Sequence, residues 1–166
     1  MDLLDRLLGH DHATTRQLLM MSQDLTDEQL DRDFDIGHRT LRATFAHMIG
    51  NVEIWTDLMA ERAVDRTPKR SSVEALIERH EYSYADFASL ACRVRDAQCW
   101  DDRYIDTLDD PPRRKTFGGT ITHVITHNMF HRGEVLHILQ RLGVPDLPEG
   151  DALTWEKLNT QPPGCA

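Results

Sequence analysis

Apolar residues recur every three or four positions through four long stretches of the chain, the spacing that lines one face of an α-helix. The first covers residues 3–24, with Leu4, Leu7, Leu8, Thr15, Leu18 and Leu19 on one side and Asp11 near the middle of that side. Thr26-Asp-Glu-Gln29 follows and reads as a capping box opening a short turn, because the hydroxyl and the amide side chain can each satisfy a free backbone N–H. A second helix is expected over residues 40–63, turning Leu41, Phe45, Met48, Val52, Trp55 and Met59 inward and stopping before Thr67-Pro68. Ser71-Ser-Val-Glu74 repeats the capping signature and opens a third, over residues 71–97, with Val73, Leu76, Ile77, Tyr84, Phe87, Ala91 and Val94 inward. Residues 103–107 and 113–117 flank Asp109-Asp110-Pro111-Pro112 and predict a short β-hairpin. The fourth helix is expected to start after Gly118-Gly119 and to stop at Gly143, a left-handed C-terminal residue, with Pro145 preventing continuation. The segment carrying Trp155, Pro162 and Pro163 reads as an irregular tail crossing the other elements. Four amphipathic helices predict an all-α fold, an antiparallel four-helix bundle with a short β-hairpin between its third and fourth helices.

Composition supports one compact unit. No Pro/Gly/Ser-rich linker or repeat divides the chain, so residues 1–166 are read as a single domain. The absence of an apolar run near the roughly 18 residues of a membrane span argues against a membrane protein. Met1-Asp-Leu-Leu-Asp-Arg6 has neither the basic start nor the apolar stretch of a secretory signal, so a cytoplasmic location is expected. A formal charge of −9 without a Lys/Arg stripe argues against nucleic acid and leaves a small molecule as the expected partner. Cys92, Cys99 and Cys165 contain no C-x-x-C pair, and an odd number argues against a disulfide framework; Cys92 and Cys99 read as inert helix residues.

The chemistry lies in the nine histidines. At about 100° per residue, Ile121, Val124, Ile125, Asn128, Val135, Leu139 and Leu142 define the inner face of the fourth helix. His131 falls roughly 40° from its centre, His127 roughly 80°, His123 roughly 120° and His137 roughly 160°. The His127/His131 pair, four residues apart, therefore points inward. His47 lies on the second helix at a border shared with Asn51, one turn along. Three neutral imidazoles from two helices can hold zinc, nickel, cobalt or ferrous iron with coordination positions left open for water or substrate. Such a site should bind metal less well as pH falls through about 6.5. Hydrogen bonding at the bundle surface accounts for the same residues, and geometry alone does not choose.

The stretch His127-Asn-Met-Phe-His131-Arg-Gly-Glu134 and the segment Leu41-Arg-Ala-Thr-Phe-Ala-His47, followed by Asn51-Val-Glu-Ile-Trp55, resemble the DinB-like family of small four-helix-bundle metalloproteins. Asp35-Ile-Gly-His-Arg-Thr-Leu41 and His10-Asp-His12 add to the likeness, which spans nearly the whole chain. The resemblance implies that His47, His127 and His131 bind one divalent metal ion, nickel or zinc, and that the chain forms a homodimer. It also implies a metal-dependent hydrolase, or a transferase using a low-molecular-weight thiol as cosubstrate.

The expected function is activation of water or thiol by the metal, which lowers the pKa of either and generates a nucleophile near neutral pH. Asp11 is the accessory candidate, since an unpaired carboxylate on an apolar face is costly; it could orient a ligand, act as a base, or pair with an arginine from a neighbouring helix. His12 could serve likewise, and His80 reads as a hydrogen-bonded core residue. Arg132 and Glu134 read as helix-surface or dimer residues, and Trp55 as core. The rival expectation is a non-catalytic, stress-associated dimeric bundle that only binds metal. A di-metal carboxylate centre is excluded, because it needs two Glu-x-x-His motifs and only Glu134-Val-Leu-His137 fits.

Overall fold

The computed structural model describes residues 1–159 as a mostly helical chain. Its long helices are α1 (Leu3–Met21), α3 (Leu41–Met59), α4 (Val73–Asp96) and α5 (Phe117–Arg141), with short helices α2 (Asp27–Leu30) and α6 (Ala152–Leu158). A hairpin of β1 (Arg103–Asp106) and β2 (Arg113–Thr116) joins α4 to α5, pairing Arg103 with Thr116 and Asp106 with Arg113. The all-α bundle with its hairpin is thus the architecture that the periodicity predicts.

Caps explain most helix boundaries. Asp2 and Asp5 form a reciprocal capping box on α1, and Thr26 and Gln29 form one on α2 as expected. On α4 the cap is Ser72 rather than Ser71, its hydroxyl accepting from the Ala75 N–H. α5 begins before the two glycines, because Thr116 caps it by accepting from the Gly119 N–H. Gly118 sits close against the neighbouring loop: its N–H donates to the Trp100 carbonyl at 2.8 Å, and a Cβ there would lie 3.1 Å from the same oxygen. The expected tail contains α6, which buries Trp155 against His10 of α1; Pro162 and Pro163 lie outside the described residues.

α1 packs against α4 and α5, and α3 packs against the same two, so α1 and α3 stand diagonally opposed. Ion pairs give the helix directions. Arg42 bonds to the Ser71 carbonyl, Arg79 to Glu53 and Arg62 to Asp86, so α3 and α4 run the same way, joined by the crossover 60–72. Arg95 reaches Asp5 and Arg16 reaches Glu81, so α1 runs against α4. His47 near the start of α3 meets His127 and His131 in α5, while Trp55 near its end meets His123, so α3 runs against α5. Antiparallel pairs therefore alternate with like-directed ones around the bundle, a correction to the antiparallel arrangement expected, because the crossover 60–72 carries the chain back before α4 begins.

Two apolar clusters fill the interior, one around Phe87, Val124 and Ile121 and the other around Leu19, Leu41, Phe45 and Ile138. Leu7, expected inward, is exposed. Cys99 is a half-buried free thiol and Cys92 is a buried residue of α4; Cys165 lies outside the described residues. No helix among the described residues is long and apolar enough to cross a membrane.

Between the clusters lies a polar layer. Asp11 is wholly buried and ion-paired with the buried Arg132, and it also accepts from the Asn128 amide at 3.0 Å. Removing one partner of a buried pair strands the other charge, which costs about 3–5 kcal/mol, whereas an apolar pair of similar volume is often tolerated. Asp11→Ala is therefore expected to lose about that much stability in urea unfolding, and the double variant Asp11→Leu/Arg132→Met far less. Equal losses in both would show that the pair is not what matters.

Candidate metal centre

Four imidazoles converge at one end of the α3/α5 seam. His47 comes from α3, His127 and His131 from successive turns of α5, and His38 from the loop ahead of α3, where its ring stacks on His47 at 3.7 Å. The Nε2 atom of His127 lies 3.3 Å from that of His47 and 3.2 Å from that of His131. The nearest donor atoms of His38, His47 and His131 all fall within 4.8 Å of one another. The facial order predicted along α5 holds: His131 is buried, His127 half-buried, and His123 and His137 exposed.

The spacing fits a small divalent ion. Imidazole nitrogens bound tetrahedrally at about 2.0–2.1 Å stand about 3.3–3.4 Å apart, close to the two separations found. The far side of His131 fits as well. Its Nδ1 faces the Glu134 carboxylate at 2.7 Å, so the proton stays on Nδ1 and the Nε2 lone pair turns toward the cluster. Glu134 reaches that position beneath Gly37, where φ is +50° and a Cβ would fall 2.3 Å from the carboxylate. A Cβ at this position would both strain the left-handed backbone and crowd the carboxylate.

His127 is held differently. The Trp55 indole N–H donates to Asn51 Oδ1 at 2.8 Å, leaving the Asn51 amide nitrogen 3.1 Å from His127 Nδ1. An amide nitrogen only donates, so the neutral His127 ring accepts at Nδ1 and carries its proton on Nε2, aimed at His47 and His131. Coordination through that Nε2 requires the Asn51 amide to turn over and present its oxygen. Burial, first, and the neighbouring imidazoles, second, push His47 down to about 4. The same causes push His127 down to about 4, and His38 is lowered by burial and by His131. Neutral rings therefore persist well below the pH of about 6.5 expected from free histidine.

The DinB family model matches residues 2–159. The chain belongs to the DinB family. No curated protein matches its sequence. In this DinB-family chain the group of His38, His47 and His131 is compatible with metal binding.

The other sequence candidates lie elsewhere. Asp11 has Arg132 and Asn128 as its side-chain partners, the arginine pairing being one of its expected alternatives. His12 pairs with Glu81 at 3.0 Å and stacks on His80 and Tyr84. His80 is a buried core residue, as read from its face, and its Nε2–H donates to the His12 carbonyl at 3.2 Å. Arg132 and Glu134 are interior groups, not surface ones, and Trp55 is a half-buried wall residue bonded to Asn51 rather than core. His38 lies in the loop between α2 and α3, where helical periodicity carries no information; its one signal in the sequence is the Gly37-His38 pair within Asp35-Ile-Gly-His-Arg-Thr-Leu41.

Burial, then the neighbouring His12 ring, pushes His80 down to about 4. Below about pH 6.5 the unfolded chain takes up a proton that the folded chain refuses, so stability is full above that pH and falls as pH drops toward about 4. The loss attributable to His80 is at most about 3 kcal/mol. Urea unfolding of His80→Gln between pH 7 and pH 4 is expected to show a shallower pH dependence than the native chain; an unchanged slope would count against it.

Proposed function

We propose that the cluster is a divalent-metal centre held by His47, His127 and His131, with His38 at hand as a further donor, and that it serves a metal-dependent hydrolase or a transferase of low-molecular-weight thiols. The observation that carries this reading is the pair of Nε2 separations, 3.3 and 3.2 Å, among rings drawn from two helices. Hydrogen bonding alone explains two imidazoles facing each other; it gives no reason for a third and a fourth at the same point.

A nickel or zinc ion bound there supplies Lewis acidity, sufficient to bring water or a thiol to its anionic form near neutral pH. The chain's own groups prepare the site. Glu134 keeps the proton of His131 on Nδ1 and fixes its ring. Asn51 reads the state of His127, donating to Nδ1 in the structure described and accepting from it once turned over. Burial keeps His47 and His127 uncharged and ready as ligands.

A second reading, a non-catalytic dimeric metal-binding bundle, draws on the exposed Leu3, Met129 and Phe130 of α1 and α5. Turnover by the metal-loaded chain in thiol-conjugation and hydrolysis panels separates the two, and tight binding without turnover favours the second.

Elemental analysis of untagged protein is expected to give one metal per chain, abolished by His131→Ala or His47→Ala, weakened by His38→Ala and unaffected by His137→Ala. Equal loss in the His131 and His137 variants would overturn the assignment. Asn51→Asp, which offers an oxygen to both Trp55 and His127, is expected to raise metal affinity several-fold in a competition titration; a lowered affinity would exclude His127 Nε2 as a ligand.

A further inference from the structure

Beside the histidine cluster, across Trp55 and His123, lies a cavity of about 530 Å³ between the hairpin and the start of α5. His123 connects the two places, its ring 5.5 Å from Trp55 on one side and 5.2 Å from His127 on the other. Arg103, Arg114 and Lys115 line the cavity, a concentration of positive charge in a chain whose formal charge is −9.

The three cations differ in kind. Lys115 is already answered, by Asp106 at 2.5 Å and Asp109 at 3.4 Å, and its ammonium sits 4.6 Å from the centre of the Trp55 ring. Arg103 and Arg114, like other exposed arginines such as Arg66 and Arg70, have no carboxylate partner among the described residues; what sets them apart is that both line one cavity. The register pairs Arg103 with Thr116 and Ile105 with Arg114. Since side chains alternate along a strand, Arg103 and Arg114 stand on one face of the hairpin as diagonal neighbours, about 7–8 Å apart at the backbone. At that backbone spacing two long, exposed arginine side chains can both reach a single anion. The hairpin that carries them is anchored: Tyr104 is buried, and its hydroxyl meets that of Thr120 in the first turn of α5 at 2.7 Å.

We propose that this cavity is an anion-binding subsite of the active site, taking a small organic substrate or cosubstrate by a carboxylate or phosphate group gripped between Arg103 and Arg114. The rest of the ligand then lies along Trp55 and past His123, toward His127. A guanidinium fork matches the paired oxygens of either group, and Trp55 supplies an apolar wall for the ligand's carbon skeleton. Its catalytic meaning rests on the reading of the histidine cluster as a metal centre, but the binding itself does not.

The test is isothermal titration calorimetry of the full chain, metal-free and metal-loaded, with succinate, inorganic phosphate and neutral succinamide as probes. Saturable binding of succinate or phosphate at millimolar concentration or below is expected, with no heat from succinamide; the preferred anion tells carboxylate from phosphate. Arg103→Ala/Arg114→Ala, both exposed positions, is expected to weaken binding at least ten-fold while leaving metal content and helical circular dichroism unchanged. Native-like anion affinity in the double variant, binding of succinamide as tight as that of succinate, or no binding of either anion would each overturn the proposal. Metal content measured on the same samples reports separately: a chain that takes no metal yet binds anions through the arginines keeps the subsite and loses the metal centre, and one that takes metal without anions does the reverse.

Discussion

The contact between Asp11 and Arg132 governs the geometry of everything near it. Two charges withdrawn from water must face each other, because either alone would carry an uncompensated desolvation cost of several kcal/mol. Asp11 projects from α1 and Arg132 from α5, so the pair admits only a narrow range of rotations of α5 about its own axis. His131 is the next residue along the helix, about 100° away. Turning Arg132 toward α1 therefore turns His131 toward α3 and the loop of His38. The ion pair acts as a rotational stop, and the imidazole cluster is assembled against it.

A second set of contacts works from the opposite side. Glu134, one turn beyond His131, is half-buried beneath Gly37 and fixes the outer nitrogen of the ring. Asn51 and Trp55, successive turns of α3, do the same for His127 with the opposite donor sense. The site is thus a layer of imidazoles between two layers of polar groups whose roles as donor or acceptor are set by their own neighbours. One ring has its lone pair turned to the cluster and another its proton, so the rings of His131 and His127 face each other as acceptor and donor.

Periodicity made the four long helices, their inward faces and the order of exposure of His123, His127, His131 and His137 legible, because burial on a helix repeats with its turn. The hairpin was legible from Asp109-Asp110-Pro111-Pro112. What periodicity does not carry was missed. Gly118 and Gly119 read as lying ahead of the last long helix, whereas α5 includes them and the first packs against Trp100. Helix direction depends on whether the crossover 60–72 doubles back, and no facial pattern encodes that. His38 sits in a segment without repeat, so its approach to His47 has no signature beyond the glycine before it. Arg132 was within reach: with Asn128 and Val135 it follows the i, i+4, i+7 spacing of the inner face, which marks it as an interior cation in need of an anion, and Asp11 was the only carboxylate singled out on such a face.

The polar layer also joins residues that are remote in sequence. Asp11 and Arg132 are 121 positions apart, and His47 and His127 are 80 apart. Contacts of such long range carry a large loop-closure entropy and tend to form late. On a ribosome, α1, α3 and α4 emerge with an unfilled seam, and none of the α5 imidazoles exists until the last long helix has been made. The nascent chain consequently passes most of its synthesis with His38 and His47 lacking their α5 partners, and the centre comes into being in one step when α5 docks.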